Sequence, residues 1–300
     1  DETVKNRKYV FSNNRPFNVI ENLSREAIPK NSESSNFLFF ENKDGYQFRS
    51  LSSLYSQPTR GDFHGGDKAF DRFSKNIMNN FGYNVGHNDS VTQAYKRILS
   101  YNFVSNKDFV LNTAGGMLGS KLITHDIFNK KFEEFTLDYF NKTKEDNRIE
   151  QNFSRDNLIY FDEQVNYTNS KVYLHPTSII NDYKDSQHYG SFRAEWPYDS
   201  SRPHDWLLKY KQKIFELNNS LQINMDITGN TTLTVGDTIN ISLPSSSDED
   251  EDIFYSGKYL ISKLRHTFDN ANKTHVIGIG AIRDSLPTRI QWKSGYSDAF

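Results

Sequence analysis

The feature that most narrows the fold lies in the C-terminal third of the chain. Leu221, Ile223, Met225 and Ile227 alternate with Gln222, Asn224, Asp226 and Thr228. A period of two sends alternate side chains to opposite faces, so this segment is a strand with one buried face. Gly229-Asn230 turns the chain, and Leu233, Val235, Ile239 and Ile241 resume the pattern. Residues 259–268 and 275–281 supply two more strands, joined by 269–273. Four or more short antiparallel strands with one apolar face need closure or a partner to protect their edges. The expectation is a small β-barrel over 217–286, followed by a tail at 287–300. Within it, residues 245–252 read SSSDEDED, a run that cannot pack and is expected as an exposed loop.

The rest of the chain mixes helices with hairpins, which makes the predicted class α+β, β-rich and multidomain. Phe17, Ile20, Leu23, Ala27 and Ile28 recur at spacings of three and four, predicting a helix over 15–28 with Asn14 as cap and Pro29 as stop. Two aromatic runs, 36–41 and 46–50, flank Asn42-Lys43-Asp44-Gly45 and predict a β-hairpin packed on that helix. Residues 57–86 are rich in Gly, Asn, Asp and Pro and read as a long loop with a short helix near 70–78. A second helix is expected over 90–99 from Val91, Ala94, Tyr95 and Ile98. Strands are expected at 121–127 and 132–139, around Asn129-Lys130-Lys131. Residues 142–156 are polar, 160–189 are ambiguous, and 203–217 predict a helix through Trp206, Leu207, Tyr210, Ile214 and Leu217. The resulting division is a helix-plus-hairpin domain at 1–88, a strand pair at 89–140, a mixed linker and helical part at 141–216, and the barrel at 217–286.

Hydrophobic residues make up only 35% of the chain, but 23 Phe and 17 Tyr raise the aromatic share to 14%, which suits several small cores rather than wholesale disorder. A net charge of −2 leaves no basic excess for nucleic acid, so sequence-specific nucleic-acid binding is not expected. No run approaches the ~20 apolar residues of a membrane-spanning helix. With no cysteine there is no disulfide, thiol nucleophile or Cys-based zinc site. The chain opens Asp1-Glu2-Thr3 without an initiator Met, which we read as a start inside a longer protein, with processing as the alternative.

The sequence carries no GxSxG elbow, P-loop, GxGxxG fingerprint or HExxH helix, so no catalytic, cofactor-binding or metal-ligating residue is assigned and no enzymatic activity is expected. Gly115-Gly116-Met117-Leu118-Gly119 superficially resembles a phosphate loop but lacks the following Lys-Ser/Thr; tight backbone packing is the preferred reading. His64 with Asp62 and Asp67 offers metal ligands, against a polar loop composition. His266 and His275 fall on facing strands, where cross-strand neighbours are preferred to a zinc site. Asp248, Asp250 and Asp252 are spaced like the start of a calcium loop but lack its Gly and distal Glu. Glu133 and Glu134, adjacent in a strand, point to opposite faces and make a poor acid/base pair. Asp205 beside Trp206 permits sugar stacking, against Trp206 on a helix face.

Four segments, in order, resemble the central baseplate hub proteins of contractile-tailed (myovirus-type) bacteriophages, relatives of the type VI secretion spike and late-control tail proteins. They are Arg15-Pro16-Phe17-Asn18-Val19-Ile20 leading into FLFFENKDGYQFRSLSSL; residues 90–139, especially GGMLGSKLITHDIFNKKFEEFTLDYF; the helix from Trp206 to Leu217; and the stretch from Met225 through LTVGDTINISLPSS to His266. The resemblance implies a homotrimer, each subunit with two small barrels, forming a pseudo-sixfold ring. One face of that ring meets the sixfold tail tube and the other the threefold central spike, with baseplate wedge proteins around it. The protein would then reside in the virion tail baseplate, assembled in the bacterial host cytoplasm. Only one complete barrel is visible, so the 121–139 strand pair is expected to complete the first barrel with residues upstream of Asp1. Exposed Tyr and Phe of the barrel are expected at subunit contacts. The acidic 245–252 loop would line the lumen, through which DNA passes, or sit outside. Two other readings stand beside this one: a glycan-binding or glycan-cleaving tail protein, and another tail-completion subunit with the same barrel.

Overall fold

A computed structural model describes residues 1–3, 11–30, 36–65, 95–104, 109–117, 119–126, 130–138, 153–154, 170–177, 214, 217, 221–243, 252 and 254–286. In chain order the elements are α1 (Pro16–Glu26), β1 (Phe37–Asn42), β2 (Gly45–Ser50), α2 (Leu51–Ser56), β3 (Asp62–His64), β4 (Ile98–Val104), α3 (Phe109–Ala114), β5 (Gly119–Asp126), β6 (Lys131–Asp138), β7 (Phe153–Ser154), β8 (Val172–Thr177), β9 (Leu221–Thr228), β10 (Thr238–Ser242), β11 (Gly257–Asp269), β12 (Thr274–Arg283) and β13 (Ser285–Leu286). The chain divides into two compact units, each gathered from separated stretches: 1–53, 106–147 and 162–219 in one, 54–105, 148–161 and 220–300 in the other.

In the first unit, α1 opens at Pro16, whose fixed φ suits the first helical position. The cap position is Arg15 rather than Asn14, and it makes no side-chain capping bond. The helix ends at Glu26, ahead of the Ile28-Pro29 pair, where a proline ring pushes its predecessor to extended backbone. The β1–β2 hairpin turns at Lys43-Asp44, with Asn42 Oδ1 accepting from the Asp44 N–H and Gly45 at φ +107°. Phe37 stacks on Phe48 at 4.7 Å and Phe39 on Tyr46 at 5.6 Å, diagonal pairs on one face of the hairpin. Phe17 of α1 meets Phe39 at 6.0 Å, so the helix packs on the hairpin as its apolar stripe implies.

The same unit contains a three-stranded sheet in the order β6-β5-β8, antiparallel on one side and parallel on the other. The 121–139 strand pair is therefore present, and its further partner is β8. Leu122 and Leu137 are buried on one face, with Phe135 and Tyr173 against them. The phenol of Tyr173 donates to the Gly115 carbonyl at 3.1 Å.

The second unit is built around a six-stranded sheet in the order β3-β10-β11-β12-β9-β4. The apolar alternation of residues 221–228 is realised in β9, where Ile223, Met225 and Ile227 are buried. They join Ile239, Ile241, Tyr259, Ile261, Ile277, Ile279 and Ala281 in one core. A bulge at Ser262, between Ile261 and Lys263, bends β11. The sheet curls into a half-barrel, and its two edge strands meet at one isolated bridge, His64 with Arg97. The fold is thus β-rich, as expected, and within this six-stranded sheet the described strands pair antiparallel except at β3, which adds to β10 in parallel.

Hydrogen bonds fix that parallel strand in place. The Thr238 hydroxyl donates to the carbonyls of Gln57 and Pro58, and Lys258 Nζ donates to those of Tyr55 and Gln57. The strand β10 begins later than its apolar pattern suggested, because residues 234–237 form a turn. Asp237 N–H donates to Thr234 O, Gly236 takes φ +90°, and Asp237 Oδ2 accepts from Thr234 N–H. The helix expected over 90–99 also stops early: Tyr95 and Lys96 are helical, but Ile98 and Leu99 belong to β4. Pairing with β9 outweighs the weak helical periodicity there. The helices expected near 70–78 and over most of 203–217 lie outside the described residues; Ile214 and Leu217 are helical.

Candidate assembly surface

Strand β4, Ile98-Leu99-Ser100-Tyr101-Asn102-Phe103-Val104, carries no charge and no proline, the devices that usually blunt a sheet edge. Its register pairs Ile98 with Ile227, Tyr101 with Met225 and Phe103 with Ile223. Directly paired residues share a face, so all three β4 side chains point to the core side of the curled sheet. Ile98 is buried there, whereas Tyr101 and Phe103 remain 41% and 38% exposed. The difference follows from the length of β3. At three residues it reaches the bridge at Arg97, below Ile98, and on the side away from β9 no described strand flanks the later β4 residues.

A second side chain reaches that opening from the β10–β11 connection. The Tyr255 ring lies 4.6 Å from Phe103, and Tyr101 meets Phe103 edge-on at 6.1 Å. Tyr255, itself 41% exposed, is held by its backbone. Its N–H donates to Asp252 Oδ1, and its carbonyl accepts from the Tyr259 hydroxyl at 2.7 Å. Burial pushes the Tyr259 phenol up from its ordinary pKa, with the nearby Arg283 charge pulling the other way, so the hydroxyl stays a donor.

Arg283 anchors the same corner from within. It is fully buried; Nη1 donates to Ser256 O at 2.8 Å, Nε donates to Ser285 O, and the guanidinium lies 5.2 Å from the Tyr259 ring centroid. The result is a preformed aromatic patch along an uncharged strand edge. Such a patch offers apolar contact area and strand positions unpaired among the described residues to another polypeptide.

The residues weighed for chemistry are scattered. Asp62 and His64 are exposed on β3, and Asp67 lies outside the described residues. Among the described residues no group of three His, Asp or Glu side chains is placed to hold a metal. Glu134 pairs with Lys121 at 2.6 Å, and its register opposite Ile123 puts it on the other face from Glu133, opposite Thr124. Asp252 Oδ1 accepts from the N–H groups of Phe254 and Tyr255, which gives the last acid of the acidic run a turn-closing role; Asp248 and Asp250 lie outside the described residues, as do Asp205 and Trp206.

Gly115 and Gly116 end α3 with a Schellman arrangement: Met117 N–H donates to Asn112 O, Gly116 N–H to Thr113 O, and Gly116 takes φ +97°. Those amides point back at helix carbonyls, not toward an anion. His266 and His275 do meet, with Nδ1 and Nε2 3.0 Å apart. The β4 edge is hidden in the sequence by the helical spacing of Val91, Ala94, Tyr95 and Ile98. The signal was the alternation of Tyr101 and Phe103 with Ser100 and Asn102.

No protein-family model and no curated protein matches the chain. Among solved structures it is similar to the tail protein from Neisseria meningitidis MC58, with a TM-score of 0.33 and 7% sequence identity over 77% of this chain and 46% of that one. The chain thus spans less than half of that protein's length. No helix among the described residues is long and apolar enough to cross a membrane.

Proposed function

We propose that the chain is a structural, non-enzymatic subunit of a contractile-tailed phage baseplate. In this reading it is the trimeric hub that joins the sixfold tail tube to the threefold central spike. The observation that carries the proposal is the curled six-stranded sheet with an aromatic, uncharged edge at β4. A hub must pass mechanical load between rings, and a sheet filled by Ile, Leu and Met side chains resists radial compression because close-packed interiors yield little. A ring also needs a contact that repeats from subunit to subunit. Tyr101, Phe103 and Tyr255 supply an apolar surface for it, and a heterologous contact that closes after three copies gives the ring. The ordered resemblance of the four sequence segments supports the same reading, and it extends to tube, spike and wedge proteins as partners and to the virion as the site of action.

Native mass tests the proposal. Light scattering of the full chain over a range of concentrations should show a stable species near ~105 kDa, three times the 34.9 kDa chain, as expected for a cyclic assembly. A strict monomer in the presence of tube and spike proteins, or a closed dimer, would overturn it. Clearing of a peptidoglycan suspension by the purified chain would overturn the non-enzymatic part.

A further inference from the structure

Beyond the core, the inward face of the sheet continues onto the projecting end of the β11–β12 hairpin. The register sets His266 opposite Ile277 and Phe268 opposite His275, so both histidines and Phe268 share a face with the partly buried Leu264 and the buried Ile279. Beyond Ile261, which bonds Gly236 and Asp237, β12 is the only strand beside β11 among the described residues. At this exposed end His266 Nδ1 and His275 Nε2 stand 3.0 Å apart.

We propose that His266 and His275 form a two-imidazole site for a divalent transition-metal ion of the zinc, nickel and copper class. Two nitrogens each bound at about 2.0–2.1 Å to one ion, in adjacent positions, lie roughly 3 Å apart. The present spacing therefore needs only a turn of the rings for both lone pairs to converge. One of the two nitrogens carries the hydrogen of the present contact; moving it to the other nitrogen of that ring frees the lone pair without net loss of a proton.

His275 is the anchored partner, and the exposed His266 ring has the more room to turn. A methyl group placed on Gly229 would lie 2.0 Å from His275 Nδ1, so this side of the ring is seated on the Gly229 backbone and Nε2 is the end left facing His266. Phe268 stacks on His275 at 4.1 Å and Gly229 N–H donates to the His275 carbonyl at 2.8 Å.

The surrounding charges define which ions fit. The Asp269 carboxylate points to the opposite face and is occupied by Ala271 N–H, Asn272 N–H and Asn272 Nδ2. Asp226, also on the outer face, accepts from the Ser100 hydroxyl. No described carboxylate completes the set, so the remaining positions fall to water or to a group from another molecule. Ions that require a cage of oxygens, magnesium and calcium, are excluded by this donor set; imidazole-preferring ions are not.

The test is paramagnetic broadening of the backbone amide spectrum of the full chain by substoichiometric Cu²⁺. The signals of Gly229, Phe268 and Ile277 should disappear first, and an excess of Mg²⁺ should leave them unchanged. His266 is exposed, so His266→Ala and the polar His266→Gln should leave the hairpin signals in place and abolish the early broadening, while His64→Ala should not. Equal broadening in wild type and both His266 variants, or broadening that spreads evenly over His64, His125 and His175, means adventitious surface binding and overturns the proposal.

Discussion

Gly229 gives a sharp test of how the hairpin end is packed. Its backbone is not in the left-handed region, so Gly229→Ala carries no intrinsic conformational penalty and should gain about 0.4–1 kcal/mol by restricting the unfolded chain. The structure predicts the opposite sign. The new methyl carbon would sit 2.0 Å from Nδ1, 2.2 Å from Cγ and 2.7 Å from Cβ of His275. With Cβ itself too close, rotating the ring does not clear the clash, and the two strands must separate or the side chain must leave its well. Either loses the Phe268 stack and the contact with His266, together about 1–2 kcal/mol. Strain in the His275 side chain adds about 0.5–1.5 kcal/mol. After the unfolded-state gain, a net destabilisation of about 1–2 kcal/mol remains, a five- to thirtyfold change in the local opening equilibrium. Native-state hydrogen exchange of the Ile277 and Ile279 amides should report it. The double variant Gly229→Ala with His275→Ala should recover most of the loss relative to His275→Ala alone, a coupling that only a direct clash produces. If Gly229→Ala slows exchange, or if its effect is additive with His275→Ala, the packing argument is wrong.

Three further outcomes follow from the same structure. Arg283→Met should lower stability by about 2 kcal/mol, read as a shift of the urea midpoint, because the Ser256 and Ser285 carbonyls lose their buried donor. The pair Tyr101→Ser with Phe103→Ser should weaken self-association by roughly tenfold or more in light scattering while leaving the circular-dichroism spectrum unchanged, since both rings are partly exposed at the strand edge. Asp269 is held below the usual carboxylate range, first by the Asn272 side chain and then by the Asn272 and Ala271 N–H groups. A depressed folded value means that its contribution is present above the unfolded pKa and is lost as pH falls through the folded one. The Ala271 and Asn272 amides should therefore lose protection, measured against their intrinsic exchange rates at each pH, below about pH 4, and Asp269→Asn should remove that dependence.

The legible parts of this fold were those where side-chain period and turn chemistry agree. In β9 the alternation of Ile223, Met225 and Ile227 was enough, because one face is fully buried and a slip of one residue would expose every one of them. The β1–β2 hairpin was legible because its local turn sets the register. The edge strands were not. β3 is three residues long and inherits its place from bonds made by Thr238 and Lys258, far along the chain. β4 has a helical spacing at Tyr95 and Ile98 that competes with its own alternation, and the partner that decides the matter is β9. The aromatic surface was foreseen only as a type of residue, exposed Tyr and Phe on the barrel. Which rings these are depends on where β3 stops, and no local pattern encodes that.

That dependence on distant partners also governs how the sheet is born. Ser100 and Asp226, bonded across the β4–β9 pair, are 126 residues apart, and Gln57 and Lys258 are 201 apart. During synthesis β3 and β4 leave the ribosome first. At about 5–20 residues per second, β4 waits on the order of ten seconds for its neighbour to emerge. The consecutive run from β9 to β12 closes last but has the most local contacts, so it is the segment that can nucleate, with the older strands joining a finished template. For that interval an uncharged strand bearing Tyr101 and Phe103 is open to the wrong partner. Its safest neighbours in the cell are then a chaperone or an empty stretch of polysome, and slowing translation between β4 and β9 should cost yield of folded protein more than slowing it after β12.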